Sequence, residues 1–266
     1  MASTATASPA ANPRARTERT GTERTGTAPA SAADTALISA ADAATIETDL
    51  AGQGFALLPR LLPPPACRDL IALYPSEDKF RSRVVMARHG FGRGEYKYFS
   101  YPLPAIVAAL RNRLYPALAA IANRWQQQLG SDQHYPSSHA DYLERCYAAG
   151  QRRPTPLLLR YEAGDFNCLH QDVYGEHVFP LQAAILLSEP GADFTGGEFI
   201  LTEQRPRQQS RATVVPLSQG DAVIFPVRER PVAGSRGFYR GQMRHGVSPL
   251  RSGHRYTLGV IFHDAV

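Results

Sequence analysis

Two histidine–aspartate pairs in this chain have the spacing to grip one ion: His170 and Asp172 in CLHQD, and His139 and Asp141 in SSHADYLERC. The backbone decides whether that spacing is useful. In an extended strand, residues i and i+2 leave one face and can close on the same metal, whereas in a helix they diverge by about 200°. His139 lies in a segment with Ser137 or Ser138 placed as N-cap and with Tyr142, Leu143, Cys146 and Tyr147 at helical spacing. It is therefore read as a decoy, and its replacement by Ala is expected to change little. His170 closes LLLRYEAGDFNCL, which reads as strand, turn, strand. Two ligands are too few for a catalytic ion, and His245 in GQMRHGVSPLRSGHRYTLGVIF supplies a third. Two histidines and one carboxylate form the facial set that leaves positions open on Fe(II). Arg255 follows His245 by ten residues and Thr257 stands two further on. Strand alternation puts both on one face, where a guanidinium fork and a hydroxyl can bind a carboxylate.

In this order the motifs resemble the Fe(II)- and 2-oxoglutarate-dependent dioxygenases, over roughly Pro156 to Asp264. LLLRYEAGDFNCLHQD is similar to the AlkB-type nucleic-acid demethylases, while FTGGEF and LSQGDAVIF are similar to the hairpin and strand that precede the distal histidine in prolyl-hydroxylase-like members. With HQDVYGEHVFPLQ, TGGEF, EQRPRQQSR and RHGVSPLRSGHR, the chain most resembles a bacterial oxygenase family proposed to act on damaged DNA. The resemblance implies a double-stranded β-helix and Fe(II) on His170, Asp172 and His245. It also implies 2-oxoglutarate on Arg255 and Thr257 with Tyr161 in contact, and O2 as second cosubstrate. The product set would be succinate, CO2 and a hydroxylated substrate; on a methylated base, hydroxylation releases formaldehyde and restores the base. Ile261 stands where the AlkB-type enzymes have a second arginine, and the His245–Arg255 spacing is shorter than theirs, so their substrate specificity does not carry over.

The elements that must position these residues follow from patterning. Residues 2–34 lack Val, Leu, Ile, Phe, Tyr and Trp and repeat TERTG, so residues 1–34 are expected to be a disordered tail without a secretory apolar region. Residues 35–266 are read as one dioxygenase domain. Within it, 35–150 is mostly helical support, including a helix with a kink or break at Pro116, and carries a substrate loop; 151–266 is the β core of short runs such as FPLQAAILLSE, GGEFILTE and DAVIFPV. The fold class is thus mainly β with a helical buttress. No run of about 18 apolar residues appears, and three unevenly spaced cysteines argue against a disulfide framework or zinc knuckle; no membrane association and a cytoplasmic location are expected. Cys168 is expected to be a buried structural thiol on the face of His170, and His177, His254 and His263 to be structural.

MARHGFGRGEYKYFSYPLP interleaves Arg88, Arg93 and Lys97 with Phe91, Tyr96 and Tyr98. Basic and aromatic residues together can hold phosphates and stack a base, so these six are candidate substrate contacts; a hairpin whose aromatics pack in the core is the competing reading. A formal charge of +5 permits a DNA or other nucleic-acid partner. Two other functions stay open at this stage: prolyl-hydroxylase-like hydroxylation of a protein or small molecule, and metal or ligand binding by a cupin-like protein without turnover.

Overall fold

Strand alternation sorts the apolar residues of the second half of the chain onto two faces, and the computed structural model places those faces in two separate cores. It describes residues 39–173 and 175–266; the expected disordered tail, 1–34, lies outside the described residues. Helix α1 (Ala40–Gln53) opens on a capping box, in which Ser39 accepts from the Asp42 amide and the Asp42 carboxylate accepts from the Ser39 amide. Helix α2 (Pro64–Ala72) begins with proline, which has no amide hydrogen to leave unpaired there. Helix α3 (Ala105–Gln128) continues through Pro116 as one helix, which removes the break from the expected kink or break. Leu110, Leu114, Tyr115, Leu118 and Ile121 are buried on both sides of the proline, and this packing outweighs one missing hydrogen bond. By length and hydropathy α3 could also cross a membrane, yet half of its most apolar window is buried within the protein. Helix α4 (His139–Ala148) is capped by Ser138, as the sequence suggested.

The strands form a double-stranded β-helix of antiparallel sheets. The larger sheet has the order β1 (Ala56–Leu58), β11 (Ala222–Pro226), β7 (Leu181–Leu186), β14 (Leu250–Val260), β5 (Leu157–Glu162), β4 (Glu95–Phe99), β2 (Phe80–Val85), with β8 (Phe194–Gly196) also paired to β14. The smaller has β10 (Arg211–Val215), β9 (Phe199–Gln204), β13 (Gly237–Val247), β6 (Phe166–His170), β3 (Gly92–Arg93), with β12 (Glu229–Gly234) on β13. Ala183, Ile185, Leu258 and Val260 face the helices and join Ile46, Leu70 and Leu114 in one core. Their neighbours Ala184 and Leu186 face the smaller sheet instead. This two-sided burial explains why β7 reads as a continuous apolar run.

Two expectations are corrected. Residues 35–150 contribute strands β1 to β4 to both sheets besides the four helices, so the stretch expected as helical support also builds the barrel wall. FTGGEF is not a hairpin: β8 pairs with β14, Phe194 opposite Gly253. A Cβ on Gly253 would lie 1.9 Å from the Asp193 carbonyl, so only glycine permits that approach.

His139 lies outside the metal cluster found among the described residues and packs into the fold. It is buried, its Nε2 lies 2.9 Å from the Phe262 carbonyl and its Nδ1 3.0 Å from the Asn112 side chain. His263 is also buried, and its Nδ1 accepts from the Phe179 amide. Burial, with Arg111 nearby, pushes both imidazoles down to about 4. Since the unfolded chain takes up these protons first, their stabilisation is complete above about pH 6.5 and is lost as pH falls toward 4, on the order of 3 kcal/mol for each. Urea unfolding from pH 7 to 4.5 is expected to show this loss, and H139Q to lower stability at pH 7 while flattening the profile. A profile unchanged in H139Q contradicts the assignment.

Candidate active site

Register places the candidate ligands together. His245 on β13 pairs directly with His170 at the end of β6, with ring centroids 4.1 Å apart, and Asp172 follows two residues beyond the strand. Asp172 Oδ1 lies 3.4 Å from His170 Nε2, and Oδ2 lies 3.3 Å from His245 Nε2. Two donors each about 2.1 Å from an octahedral ion and at right angles lie about 3 Å apart, so the set fits one ion with little adjustment. One donor atom from each of the three residues falls within 4.8 Å of the others. His170 Nδ1 donates to the Cys168 carbonyl at 2.8 Å, which leaves Nε2 as the free lone pair. The His245 ring is held by aromatic packing, 4.7 Å from Phe225 and 6.1 Å from Phe199.

Electrostatics prepares the carboxylate. Burial raises the Asp172 carboxyl, but hydrogen bonds and charge from His170 and His245 outweigh it and hold it well below the usual range. Burial lowers the His170 imidazole, and Asp172 more than reverses this; burial and the neighbouring His170 leave His245 lowered. An ionised carboxylate between two imidazoles is a cation site.

Across a cavity of about 400 Å3 stand Arg255 and Thr257 on the inner face of β14. Arg255 is 1% exposed, donates from Nη1 to Thr257 Oγ1 at 2.7 Å, and leaves Nε unpaired. Its guanidinium lies over the Tyr161 and Phe194 rings, and burial lowers its pKa to about 10, which keeps it charged at neutral pH. A buried cation without a salt bridge among the described residues costs several kcal/mol, and a ligand carboxylate offsets that cost. The donor set therefore fits a dicarboxylate that reaches from Arg255 to the metal cluster.

The other expected residues divide. Tyr161 is fully buried in the cavity wall beside Arg255. Phe91, Tyr96 and Tyr98 line the cavity, with Tyr96 and Tyr98 on one face of β4. Arg88 and Arg93 are exposed, Arg93 facing Asp165 at 3.8 Å. Lys97 is corrected: it lies on the opposite face of β4, buried, bonded to Glu77 and to the Tyr74 carbonyl, and cannot reach a ligand in the cavity. Cys168 is also corrected, being exposed at the cavity wall instead of buried. Sequence reasoning missed Gln182, which donates to Asp172 Oδ2 at 2.9 Å. Its signal was a lone amide in the apolar run FPLQAAILL.

Residues 94–265 match the model of a family described as "Oxygenase, catalysing oxidative methylation of damaged DNA". The chain belongs to this oxygenase family. Two uncharacterized proteins of Mycobacterium tuberculosis, from strains CDC 1551 and H37Rv, are each 52% identical to the oxygenase over 167 residues, 63% of this chain and 72% of theirs. Among solved structures, the non-heme alpha ketoglutarate dependent epimerase SnoN from nogalamycin biosynthesis superposes with a TM-score of 0.50 at 16% identity, covering 82% of this chain and 81% of that one. A Pseudomonas putida prolyl-4-hydroxylase gives 0.49 at 16% identity, over 84% and 99%. At these identities the likeness is one of fold, and that fold is the one shared by 2-oxoglutarate/Fe(II) oxygenases.

The Arg255 environment gives a test without turnover. A dicarboxylate binding only the folded oxygenase adds about 2.7 kcal/mol at a hundred times its Kd. With Mn(II) in place of iron, 2-oxoglutarate is expected to raise the Tm of the wild type and not of R255M, while R255M alone, relieved of an unpaired charge, melts no lower than wild type. An equal 2-oxoglutarate shift in R255M places the carboxylate elsewhere.

Proposed function

We propose that the oxygenase binds Fe(II) through His170, Asp172 and His245, binds 2-oxoglutarate through Arg255 and Thr257 with Tyr161 against it, and hydroxylates a base in damaged DNA. The observation that carries this reading is the fully buried Arg255, without a salt bridge among the described residues, in the wall of the cavity that also holds the His–Asp–His cluster. When bound, iron and 2-oxoglutarate would supply the oxidising power: O2 converts the keto acid to succinate and CO2, and the second oxygen atom enters a substrate C–H bond.

The protein's own part is binding and exclusion of water. His170 and His245 are fixed by the Cys168 carbonyl and by Phe199 and Phe225, so the cluster needs little reorganisation. Gln182 holds Asp172 in place. Thr257 orients the guanidinium fork. At the mouth, Phe91 is 47% exposed, stacks on His89, and with Tyr96 and Tyr98 offers flat apolar faces for an extruded base. Base–aromatic stacking contributes about 1 to 3 kcal/mol per base and tolerates any sequence. Exposed Arg88 and Arg93 would meet the phosphates beside it. If the substrate carbon is an N-methyl group, its hydroxylated product loses formaldehyde and restores the base.

The deciding assay is O2-dependent succinate formation over methylated oligonucleotides, peptides and free amino acids. Succinate and formaldehyde are expected with methylated single strands, and H170A or H245A to lower the rate by at least a hundredfold with the fold intact. Activity on a peptide or amino acid, with no oligonucleotide bound at low salt, overturns the DNA reading and leaves the metal site standing. Salt supplies a second check. Arg88→Ala is expected to flatten the log–log salt dependence of strand binding by somewhat under one unit, whereas Phe91→Ala weakens binding without changing the slope.

A further inference from the structure

The register of the larger sheet arranges the inner wall of the cavity in rows. Tyr161 pairs with Arg255 in the first, and Tyr96, Leu159, Thr257 and Leu186 form the second. The third runs Tyr98, Leu157, Gly259, Ala184, and Gln182 beside Phe225 belongs to the fourth. Rows are two residues apart, so Gln182 stands about 20 Å along the sheet from Arg255 at the backbone. Gln182 therefore stands beside the metal cluster, at the end of the cavity away from the Arg255 row.

Gln182 is 3% exposed, and its two amide ends are treated differently. Nε2 donates to Asp172 Oδ2 at 2.9 Å and lies 3.4 Å from His245 Nε2. Because a carboxylate only accepts, this contact fixes which end of the amide is nitrogen. Oε1 is consequently turned away from Asp172, is buried, and makes no hydrogen bond. Gln182 lines the cavity beside its cross-strand neighbour Phe225, whose ring carries no donor. A buried carbonyl without a partner among the described residues, on a side chain that lines the cavity, is a site for a ligand N–H.

We propose that Gln182 is the specificity-determining residue at the reacting end of the cavity, its Oε1 accepting a hydrogen bond from the amino group of the substrate base. This rests on the nucleic-acid reading above and narrows it. A base that presents an amino group beside the reacting carbon completes the Gln182 amide. A base that presents a carbonyl there sets oxygen lone pairs against Oε1, with the Asp172 carboxylate close behind. Discrimination arises because one partner is left unpaired inside a desolvated pocket.

The test compares bases that differ only in the amino group. Binding is measured by fluorescence anisotropy under anaerobic conditions, with the protein loaded with Fe(II) and 2-oxoglutarate. The probes are thymidine strands carrying one central adenine or purine, and one central cytosine or 2-pyrimidinone. The wild type is expected to bind the amine-bearing member of each pair about five- to tenfold more tightly. Q182M, which keeps the length and loses both polar ends, is expected to bind the two members within about twofold. Q182N, which keeps the amide but withdraws it by one methylene, should also lose most of the preference, each variant being compared at equal measured iron content. Equal binding of the pair by the wild type overturns the proposal whatever the variants do, as does a preference that survives in Q182M and Q182N. Either result leaves the nucleic-acid reading intact. Failure to bind any strand at low salt removes that reading, and the role of Gln182 with it.

Discussion

A guanidinium buried without a salt bridge among the described residues is the constraint around which this cavity is arranged. Arg255 is shielded from water, pinned by Thr257 and flanked by the rings of Tyr161 and Phe194; Glu198 acts on it only from beyond salt-bridge distance, so a ligand anion can compensate much of its charge. Such a residue lowers the stability of the empty protein and raises the affinity of the liganded one. The oxygenase tolerates it because the surrounding strands are held elsewhere: β14 pairs with β5 and β7, both of which also pack against the helices on the outer face. The long α3 and the Arg111–Asp264 ion pair anchor the sheet from behind.

The opposite wall solves a different problem, the gathering of three ligands from distant parts of the sequence. Cross-strand pairing of His170 with His245 brings residues 75 apart in sequence into ring contact. Asp172, being just beyond the end of β6, is free of the ladder and can turn between the two imidazoles. The two walls thus contribute unlike charges to one cavity. The cluster on the smaller sheet suits a cation and the arginine on the larger sheet suits an anion, charges that a metal-chelating keto acid with two carboxylates would satisfy together.

Much of this was legible because strand periodicity is local. Alternation put Arg255 with Thr257, and helical spacing set His139 apart, each from a handful of neighbouring residues; His170 and Asp172 do converge, but Asp172 does so from beyond the strand end and not by alternation. What failed depended on contacts that no local pattern encodes. Lys97 looks like its neighbours Arg88 and Arg93 in sequence, but β4 carries alternating faces and Lys97 falls on the one that meets Glu77 and Tyr74. Cys168 shares a face with His170, yet β6 lies next to a two-residue edge strand, so that face is open to solvent. The buried setting of His139 was not legible, because its partners Asn112 and Phe262 come from α3 and from the residues beyond β14. Gln182 was overlooked since a single amide in an apolar strand has no partner in view until the register of β7 against Asp172 is known.

The central claim, that one cavity binds iron on the His–Asp–His wall and 2-oxoglutarate from the Arg255 wall, is tested most directly by anaerobic titration of the protein with Fe(II) and 2-oxoglutarate, followed by the visible charge-transfer absorption of a 2-oxo acid chelated to ferrous iron. The wild type should develop that band at one equivalent of iron; H170A and H245A should not, and R255M should require at least tenfold more 2-oxoglutarate to reach it. A band of wild-type strength in H170A or H245A, or an unchanged 2-oxoglutarate dependence in R255M, would contradict it.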